Sequence, residues 1–320
     1  MSLDHIDPEL RDAIANRPAL RLSQEKLYKS RDFIVQAAKA SRESLDDSIR
    51  IDEIEVRSAL DGHRIRVVRY QPALVADRTA SAAPALLHAH AGGFVMGIPE
   101  MTEPDNLKIV RSLQCTIFSV DYRLAPEHPY PAALHDVYSV LLWMHENADE
   151  LGIDRARIGI KGESGGGGIV AAVTLYARDH QGPRLAFQHL IYPMLDDRTV
   201  MRTDLHEHTG QVMWNNEHNR FGWQSLLGCD PGASDVSPYA APARSADLSG
   251  LPPTFISVGT LDLFCDENIE YARRLALAGV SVELHVYPRA YHGFRSVMTA
   301  RVAQNAERDS HEALRRGFQG

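Results

Sequence analysis

Residues 158–172 read IGIKGESGGGGIVAA, which combines the pattern of a strand, a sharp turn and the start of a helix. An apolar run typical of a buried strand ends in Gly-Glu-Ser-Gly-Gly at residues 162–166, and apolar residues at helical spacing follow. A serine between glycines on a sharp strand-to-helix turn is the G-x-S-x-G nucleophile elbow, where larger neighbours would clash. The elbow exposes the hydroxyl of Ser164. It also directs the N–H of Gly165, at the helix N-terminus, toward a developing oxyanion.

The glycines after Ser164 leave an alternative open. Residues 166–171 also match the dinucleotide-binding pattern G-x-G-x-x-A, with Asp196 and Asp197 downstream as candidate ribose ligands. That pattern begins late relative to the strand end and gives Ser164 no role. A nucleophilic serine is therefore the preferred interpretation, in which Gly167 and Gly168 let the helix approach neighbouring backbone.

The rest of the chain predicts an α/β fold with a mostly parallel central sheet. Short apolar runs alternate with helical patterns, which is typical of a parallel sheet with helices on both faces. The apolar runs are residues 84–90, 115–122, 157–163, 185–193, 253–260 and 282–288. The predicted helices are residues 132–150, 164–179, 266–278 and 297–316.

The N-terminal part of the chain has a different pattern. Apolar residues at helical spacing predict a helix within residues 23–47, and two alternating runs, 49–57 and 63–70, predict an antiparallel β-hairpin. The polar stretch after residue 197 is too long for a simple connection and indicates an insertion. The predicted division is cap helices over 1–48, core over 49–197, an insertion contributing to a helical cap over 198–250, and core over 251–320.

Composition limits the classes of partner. Of the 320 residues, 44% are hydrophobic and 24% are charged, so the chain is expected to form a soluble globular protein with a packed core. The net charge of -8, without a Lys/Arg-rich run, argues against nucleic acid and anionic membranes as partners. The sequence has no secretory signal pattern, no apolar run of about 18 residues and three widely spaced cysteines, so a cytoplasmic protein is expected.

Residues 86–97, LLHAHAGGFVMG, predict the second half of an acyl-transfer site. The strand in this segment ends in a pair of glycines, Gly92 and Gly93, which can turn backbone N–H groups toward an oxygen bound beside Ser164. An ordinary Gly-Gly turn is the alternative for this segment alone. Its combination with the elbow favours an oxyanion loop.

Position along the chain selects a base and an acid. His292 follows the last predicted strand in VELHVYPRAYHGF, and a histidine with an unperturbed pKa of about 6.5 can take a proton from a serine hydroxyl. Asp262 follows the strand-like run FISVGTL, as expected for the group that orients the imidazole. The alternatives for the acid are Asp266, better placed to cap a helix, and the pair Asp196 and Asp197. The chain order Ser164, Asp262, His292 is that of α/β-hydrolases.

Together these motifs resemble those of the hormone-sensitive-lipase-like carboxylesterases. His-Ala-Gly-Gly-Phe at residues 90–94 resembles the HGGG loop of that family, and residues 162–166 resemble its GDSAG elbow. DYRLAPEHPYPAALHD at residues 121–136 is similar to the segment that follows the loop in the family. VSPYAAPARSADLSGLPPTFISVGTLD at residues 236–262 is similar to bacterial heroin-esterase-like members. The resemblance extends from about the first strand to the last helix.

The resemblance implies an α/β-hydrolase fold with a helical cap and a serine carboxylesterase that needs no metal or organic cofactor. It assigns the nucleophile to Ser164, the base to His292 and the acid to Asp262. The implied oxyanion donors are Gly92, Gly93 and Gly165, and the implied role of His90 is to hold the loop. Because members of the family are often dimers, a homodimer is also expected.

The chain departs from the family pattern at five positions. Ala91 replaces the first glycine of HGGG, which is not one of the implied donors, and Glu163 replaces the aspartate before the serine. Gly165 replaces an alanine, and Leu263-Phe264 replaces the usual Pro-Leu.

Aromatic residues are the candidates for a substrate pocket. Phe94 on the oxyanion loop and Trp214 and Trp223 in the insertion can supply apolar surface for an acyl or alcohol group, or they can form the core of the cap. The insertion also contains His206, His208 and His218, for which a metal site is the alternative to a polar cap surface. These histidines lack a defined metal-ligand spacing.

The expected reaction is hydrolysis of small, short-chain acyl esters. Amide or lactone hydrolysis is an alternative, because a serine triad does not dictate the leaving group. A small-molecule binding protein on the same fold is the alternative from another class, since the family's plant hormone receptors lack the catalytic histidine. The presence of His292 argues against that alternative.

Overall fold

An eight-stranded sheet lies at the centre of the computed structural model, which describes residues 3–15, 22–40, 48–73 and 82–319. The spatial order of the strands is β1-β2-β4-β3-β5-β6-β7-β8. β1 and β2 pair antiparallel, β2 pairs antiparallel with β4, and every other neighbouring pair is parallel. The strands are β1 Ile49–Arg57, β2 Arg64–Pro72, β3 Ala83–Ala89, β4 Thr116–Asp121, β5 Ile153–Glu163, β6 Gln188–Ile191, β7 Thr254–Gly259 and β8 Val282–Tyr287.

Helices cover both faces of this sheet. Successive side chains of a strand point to opposite faces, and Leu86 and Leu87 of β3 accordingly join two different apolar clusters. Leu86 packs with residues of α3 and α9, and Leu87 packs with residues of α4 and α6. The helices are α1 Asp12–Ala15, α2 Gln24–Ala40, α3 Glu103–Leu113, α4 Ala132–Glu146, α5 Ala148–Leu151, α6 Gly165–Asp179, α7 Asn216–Leu227, α8 Cys265–Leu277 and α9 Arg301–Gln319. The predicted α/β-hydrolase fold, with its N-terminal hairpin, is confirmed.

The predicted helices match the structure except near their ends. The helix predicted over 132–150 is divided into α4 and the short α5, with Asn147 between them. The last helix begins at Arg301 rather than at 297, because the chain first forms a 3₁₀ turn at Phe294–Ser296. The N-terminal helix occupies Gln24–Ala40 of the predicted range, and residues 41–47 lie outside the described residues.

The helices α3 and α7 were not predicted. α3 lies between the oxyanion loop and β4, and α7 lies within the insertion. α7 has a local signal, because the side chain of Asn215 accepts a hydrogen bond from the N–H of His218 at 2.9 Å as an N-cap. Within the described ranges, no helix is both long enough and apolar enough to cross a membrane. The predicted domain boundaries stay predictions.

Candidate active site

Ser164 occupies a strained turn between β5 and α6. Its φ of 54° and ψ of -122° lie outside the regions that serine ordinarily adopts. Backbone hydrogen bonds hold this conformation: the N–H of Ser164 donates to the carbonyl of Ile191 at 2.9 Å, and its carbonyl accepts from Gly168 at 3.1 Å and Met194 at 3.0 Å. Such strain persists only where the surroundings over-determine it, and it indicates a functional position.

Ser164, His292 and Asp262 form one hydrogen-bonded chain. The Ser164 Oγ lies 2.9 Å from the Nε2 of His292, and the Nδ1 of His292 lies 2.8 Å from the Oδ2 of Asp262. Asp262 is fully buried, and its Oδ1 accepts the N–H of Phe264 at 2.9 Å. A carboxylate on Nδ1 favours the tautomer with the proton on Nδ1, which leaves Nε2 free to accept the serine proton.

The alternative acids have other partners. Asp266 forms an ion pair with Arg202 at 2.6 Å, and Asp196 accepts from Arg198 at 2.7 Å. Asp197 is fully buried and accepts from Arg244 at 2.6 Å. The expectation that Asp266 caps a helix is wrong, because α8 begins at Cys265 and Asp266 lies inside its first turn. Asp262 is therefore the acid in contact with His292.

The two glycines of the oxyanion loop have backbone conformations that favour glycine, with φ of 143° at Gly92 and 56° at Gly93. The loop lies directly against the start of α6, since a Cβ atom on Gly165 would be 2.9 Å from the nitrogen of Gly93. The first N–H groups of a helix have no acceptor within the helix. The backbone nitrogen of Gly93 therefore lies close to the start of α6, next to Ser164.

The glycines after Gly165 have a packing role. A Cβ atom on Gly166 would lie 2.3 Å from the carbonyl oxygens of Ala89 and His90, and one on Gly168 would lie 2.2 Å from that of Met194. The expected close backbone approach is thus confirmed. It also contradicts the dinucleotide alternative, because protein backbone occupies the space beside these glycines and Asp197 is bound to Arg244.

His90 lies under the oxyanion loop. Its ring is fully buried, stacks on Tyr122 with centroids 4.2 Å apart, and its Nδ1 is 2.9 Å from the carbonyl oxygen of Ala91. Tyr122 donates to the carbonyl of His90 at 2.7 Å. Burial lowers the pKa of His90 to about 4, so the ring is neutral at pH 7 and donates through Nδ1. These contacts support the expected structural role.

Arg31 on α2 is a support of the same loop that the sequence analysis missed. Its Nε donates to the carbonyl of Val95 at 2.7 Å, and its Nη2 donates to the carbonyl of Ala125 at 2.8 Å. The guanidinium also pairs with Glu127 at 2.8 Å. Because these partners are brought together only by the fold, no local pattern could have identified Arg31.

Of the three candidate pocket residues, Trp214 lies next to the triad, and Trp223 lies behind Phe94. Trp214 lies on the oxyanion loop, since a Cβ atom on Gly93 would be 2.1 Å from its Cη2, and its ring centroid is 6.4 Å from that of His292. Phe94 packs on the fully buried Trp223 with centroids 5.0 Å apart. A cavity of about 20 Å³ lies beside Phe94, lined by Phe94, Tyr130, Ala133, Leu134, Ile169, Ala172, Leu226, Tyr239 and Ala240. Trp214 bounds the site directly, and Trp223 supports Phe94.

The histidines of the insertion do not converge. The rings of His206 and His208 are 5.0 Å apart, and His208 stacks on His5, whereas His218 packs on Trp214. In the part of the chain that the structure describes, the group of acidic and histidine side chains close enough to share a metal ion is Asp105, Glu307 and His311. Lys161 lies 3.2 Å from Asp105, and Lys108 lies 2.8 Å from Glu307. These cations argue against a metal ion there.

Comparison with known proteins identifies the family of the chain. The model of a family described as alpha/beta hydrolase fold matches residues 86–296. The carboxylesterase NlhH of Mycobacterium tuberculosis strain ATCC 25618 / H37Rv is 37% identical over 247 residues, 77% of this chain and 76% of the relative. The ethyl acetate hydrolase of Pseudomonas putida is 30% identical over 237 residues, 73% of this chain and 72% of the relative.

A solved structure is similar to this chain over its whole length. The bacterial heroin esterase superposes with a TM-score of 0.92 at 37% identity and covers 100% of both chains. The family match includes both glycines of the oxyanion loop, Ser164, Asp262 and His292. The chain therefore belongs to the alpha/beta-hydrolase-fold family, in its hormone-sensitive-lipase-like branch.

Proposed function

We propose that this carboxylic ester hydrolase cleaves small, short-chain acyl esters through an acyl-enzyme on Ser164. The observation that carries the proposal is the hydrogen-bonded chain from Ser164 through His292 to Asp262, with distances of 2.9 and 2.8 Å, on a strained elbow. A binding protein would have no need for a nucleophile and a base in contact.

Acylation begins when Ser164 attacks the ester carbonyl. The Nε2 of His292 takes the hydroxyl proton as the serine oxygen bonds to carbon, and Asp262 stabilises the resulting imidazolium. The N–H groups of Gly92, Gly93 and Gly165 bind the oxyanion, and the N-terminus of α6 adds a favourable dipole. His292 then returns the proton to the leaving alcohol as the carbon–oxygen bond breaks.

Deacylation repeats these steps with water. His292 takes a proton from a water molecule, whose oxygen attacks the acyl carbon and forms a second oxyanion in the same hole. Collapse of that intermediate breaks the bond to the serine oxygen, which regains a proton from His292. The products are a carboxylic acid and the free enzyme.

The aromatic ring beside the oxyanion loop supports short acyl groups. Trp214 limits the space above the oxyanion loop. Among the relatives, the Pseudomonas putida protein is described as an ethyl acetate hydrolase. Acetyl and similarly small acyl groups are therefore the proposed substrates.

A series of p-nitrophenyl esters from acetate to palmitate tests this proposal. The highest kcat/KM is expected for the shortest chains, because each methylene that does not fit costs about 1–3 kcal/mol of transition-state binding. Equal kcat/KM for acetate and palmitate would contradict the short-chain specificity. Parallel assays with p-nitroanilides and simple lactones measure the amide and lactone alternatives directly.

Replacing Trp214 with leucine is expected to move the optimum toward longer chains. The smaller side chain removes the indole ring that lies on Gly93, so the ratio of kcat/KM for octanoate to that for acetate should rise by about tenfold. Trp143→Leu is the matched control, because Trp143 lies on α4 and packs on Phe118. The same ratio in both variants would show that Trp214 does not limit the acyl chain.

Replacing Arg31 with methionine is expected to lower kcat by about tenfold, because the carbonyl of Val95 loses its donor and the oxyanion loop is held less firmly. Lys29→Met, an exposed position on the same helix, is the control. Steady-state kinetics with p-nitrophenyl acetate measures the effect. An unchanged kcat in Arg31→Met would mean that the contacts of the loop with α6 are sufficient to hold it.

The proposed partners and location follow from composition and family. A net charge of -8 supports a small-molecule substrate over nucleic acid. A homodimer and a cytoplasmic location stay predictions. Light scattering of the purified chain measures the first, and fractionation of cells that express it measures the second.

A further inference from the structure

A row of polar side chains crosses the buried sheet below the elbow. In the registers of the parallel strands, Ser119 of β4 lies beside His88 of β3, His88 beside Lys161 of β5, and Lys161 beside His189 of β6. The side chains of His88, Lys161 and His189 are fully buried. The side chains of a parallel sheet covered on both faces are normally apolar, so a row of buried polar side chains indicates a specific role.

The row continues into a chain of alternating charges. The ammonium of Lys161 contacts the carboxylate of Glu163 and lies 3.2 Å from the Oδ2 of Asp105 on α3. The Oδ1 of Asp105 lies 3.7 Å from the Nη2 of Arg295. The second oxygen of Glu163 lies 2.9 Å from the Nε2 of His88. We call Glu163, Lys161, Asp105 and Arg295 the buried charge chain.

The ends of the buried charge chain lie next to two triad residues in sequence. Glu163 immediately precedes Ser164, and Arg295 follows His292 by three positions in the same loop. The Glu163 side chain is 6% exposed and the Arg295 side chain 10% exposed. The four side chains therefore connect the nucleophile elbow to the histidine loop through α3.

The two carboxyl groups of the buried charge chain are ionised in the folded protein. Burial opposes ionisation of Glu163, but Lys161 and His88 outweigh it and hold the pKa of this carboxyl well below its usual range. Burial likewise opposes ionisation of Asp105, and the charges of Lys161 and Arg295 lower its pKa to about 2. Anionic and cationic side chains thus alternate. Each has a neighbour of opposite charge, which offsets the free-energy cost of burying a single charge.

From this arrangement we propose that Lys161 and Asp105 are positioning residues for the reaction, which hold Glu163 and Arg295 and thereby fix the elbow relative to the loop of His292. The proposal rests on the proposed function of Ser164. It assigns a role to Glu163, the residue that departs from the family aspartate.

The charge of Lys161 also has an electrostatic consequence. A carboxylate without a counter-charge next to Ser164 would oppose the negative oxyanion that forms beside Gly165. Lys161 neutralises Glu163 at contact distance, and Asp105 keeps Lys161 oriented toward it. Loss of Asp105 would therefore destabilise the transition state more than it weakens substrate binding, because neither Asp105 nor Lys161 lies in the candidate pocket.

Asp105→Asn tests the middle of the buried charge chain. The Asp105 side chain is 25% exposed on α3, so the variant is expected to fold. With p-nitrophenyl acetate, kcat is expected to fall by about tenfold while KM changes by less than about twofold. Asp105→Glu, which keeps the charge, is expected to recover at least about half of the lost kcat. Arg111→Met changes an exposed residue of the same helix and is the control.

A second variant removes the pair beside the elbow. Lys161→Met with Glu163→Gln is neutral and similar in volume, so it avoids leaving a single buried charge, and its kcat is expected to fall by about tenfold. If the unaltered enzyme hydrolyses the ester and either folded variant keeps its full kcat, the positioning role is wrong. A rise in KM with unchanged kcat would also overturn it. If the unaltered enzyme hydrolyses no ester, it is the proposed function that fails.

Discussion

Replacing Ser164 with alanine is expected to lower kcat/KM for p-nitrophenyl acetate by at least about a thousandfold, one of the two largest effects expected for this chain. The substitution removes the oxygen that lies 2.9 Å from the Nε2 of His292, so no acyl-enzyme can form. The elbow itself should persist, because its backbone hydrogen bonds to Ile191, Gly168 and Met194 do not involve the hydroxyl. The variant is therefore expected to fold with a melting temperature close to that of the unaltered enzyme.

Two measurements distinguish loss of the nucleophile from a general defect. Ser249→Ala, at an exposed serine remote from the triad in sequence, should keep kcat/KM within about twofold. Diethyl p-nitrophenyl phosphate should add one phosphoryl group to the unaltered enzyme and none to Ser164→Ala, by mass spectrometry of the peptide that contains residue 164. Full esterase activity in Ser164→Ala would contradict the acyl-enzyme mechanism. An unaltered enzyme inactive on every ester would instead favour the binding-protein alternative.

The core of the fold and the triad were predictable because each depends on local sequence. The elbow, the glycine pair of the oxyanion loop and the apolar strands are short segments whose composition reflects their own backbone geometry and burial. His292 and Asp262 could be selected because each follows a strand end, and the carboxyl ends of parallel strands meet at one edge of the sheet. Gly259, close to the carbonyl of Ala290, brings these two strand ends together.

The supports of the site were not predictable in the same way. Arg31 contacts Val95 and Ala125, which are more than sixty residues away along the chain, so its role depends on tertiary packing. A lysine inside the apolar strand at position 161 was a visible signal, since a buried lysine needs a counter-charge. Its partner Asp105 lies on α3, a helix that the sequence pattern did not identify.

The polarity of the insertion explains why α7 was not predicted. α7 is a mixed helix, and its buried residues include His218, Asn219 and Ser225 as well as Trp223 and Leu226. The Oδ1 of the buried Asn219 accepts a hydrogen bond from the Nε1 of Trp214 at 3.4 Å. A helix that buries polar side chains next to a site has weak apolar periodicity, which is the signal that sequence analysis uses.

Asp262→Asn is expected to have the second large effect, a fall in kcat of about 10³–10⁴ with little change in KM. Asparagine is close in shape to aspartate but offers one N–H₂ group, and it cannot stabilise the imidazolium that forms when His292 takes the serine proton. An amide that turns its N–H₂ toward Nδ1 also favours the wrong tautomer, in which Nε2 carries the proton and cannot accept another.

Asp266→Asn provides the matched control for this prediction. The same substitution four residues later removes an exposed ion pair with Arg202, and kcat is expected to stay within about twofold. A comparable loss in both variants would mean that the acidic start of α8, rather than the contact of Asp262 with His292, determines the rate. A large loss only in Asp262→Asn would make the 2.8 Å contact with Nδ1 the cause, because the carboxylate of Asp262 is the one that His292 touches.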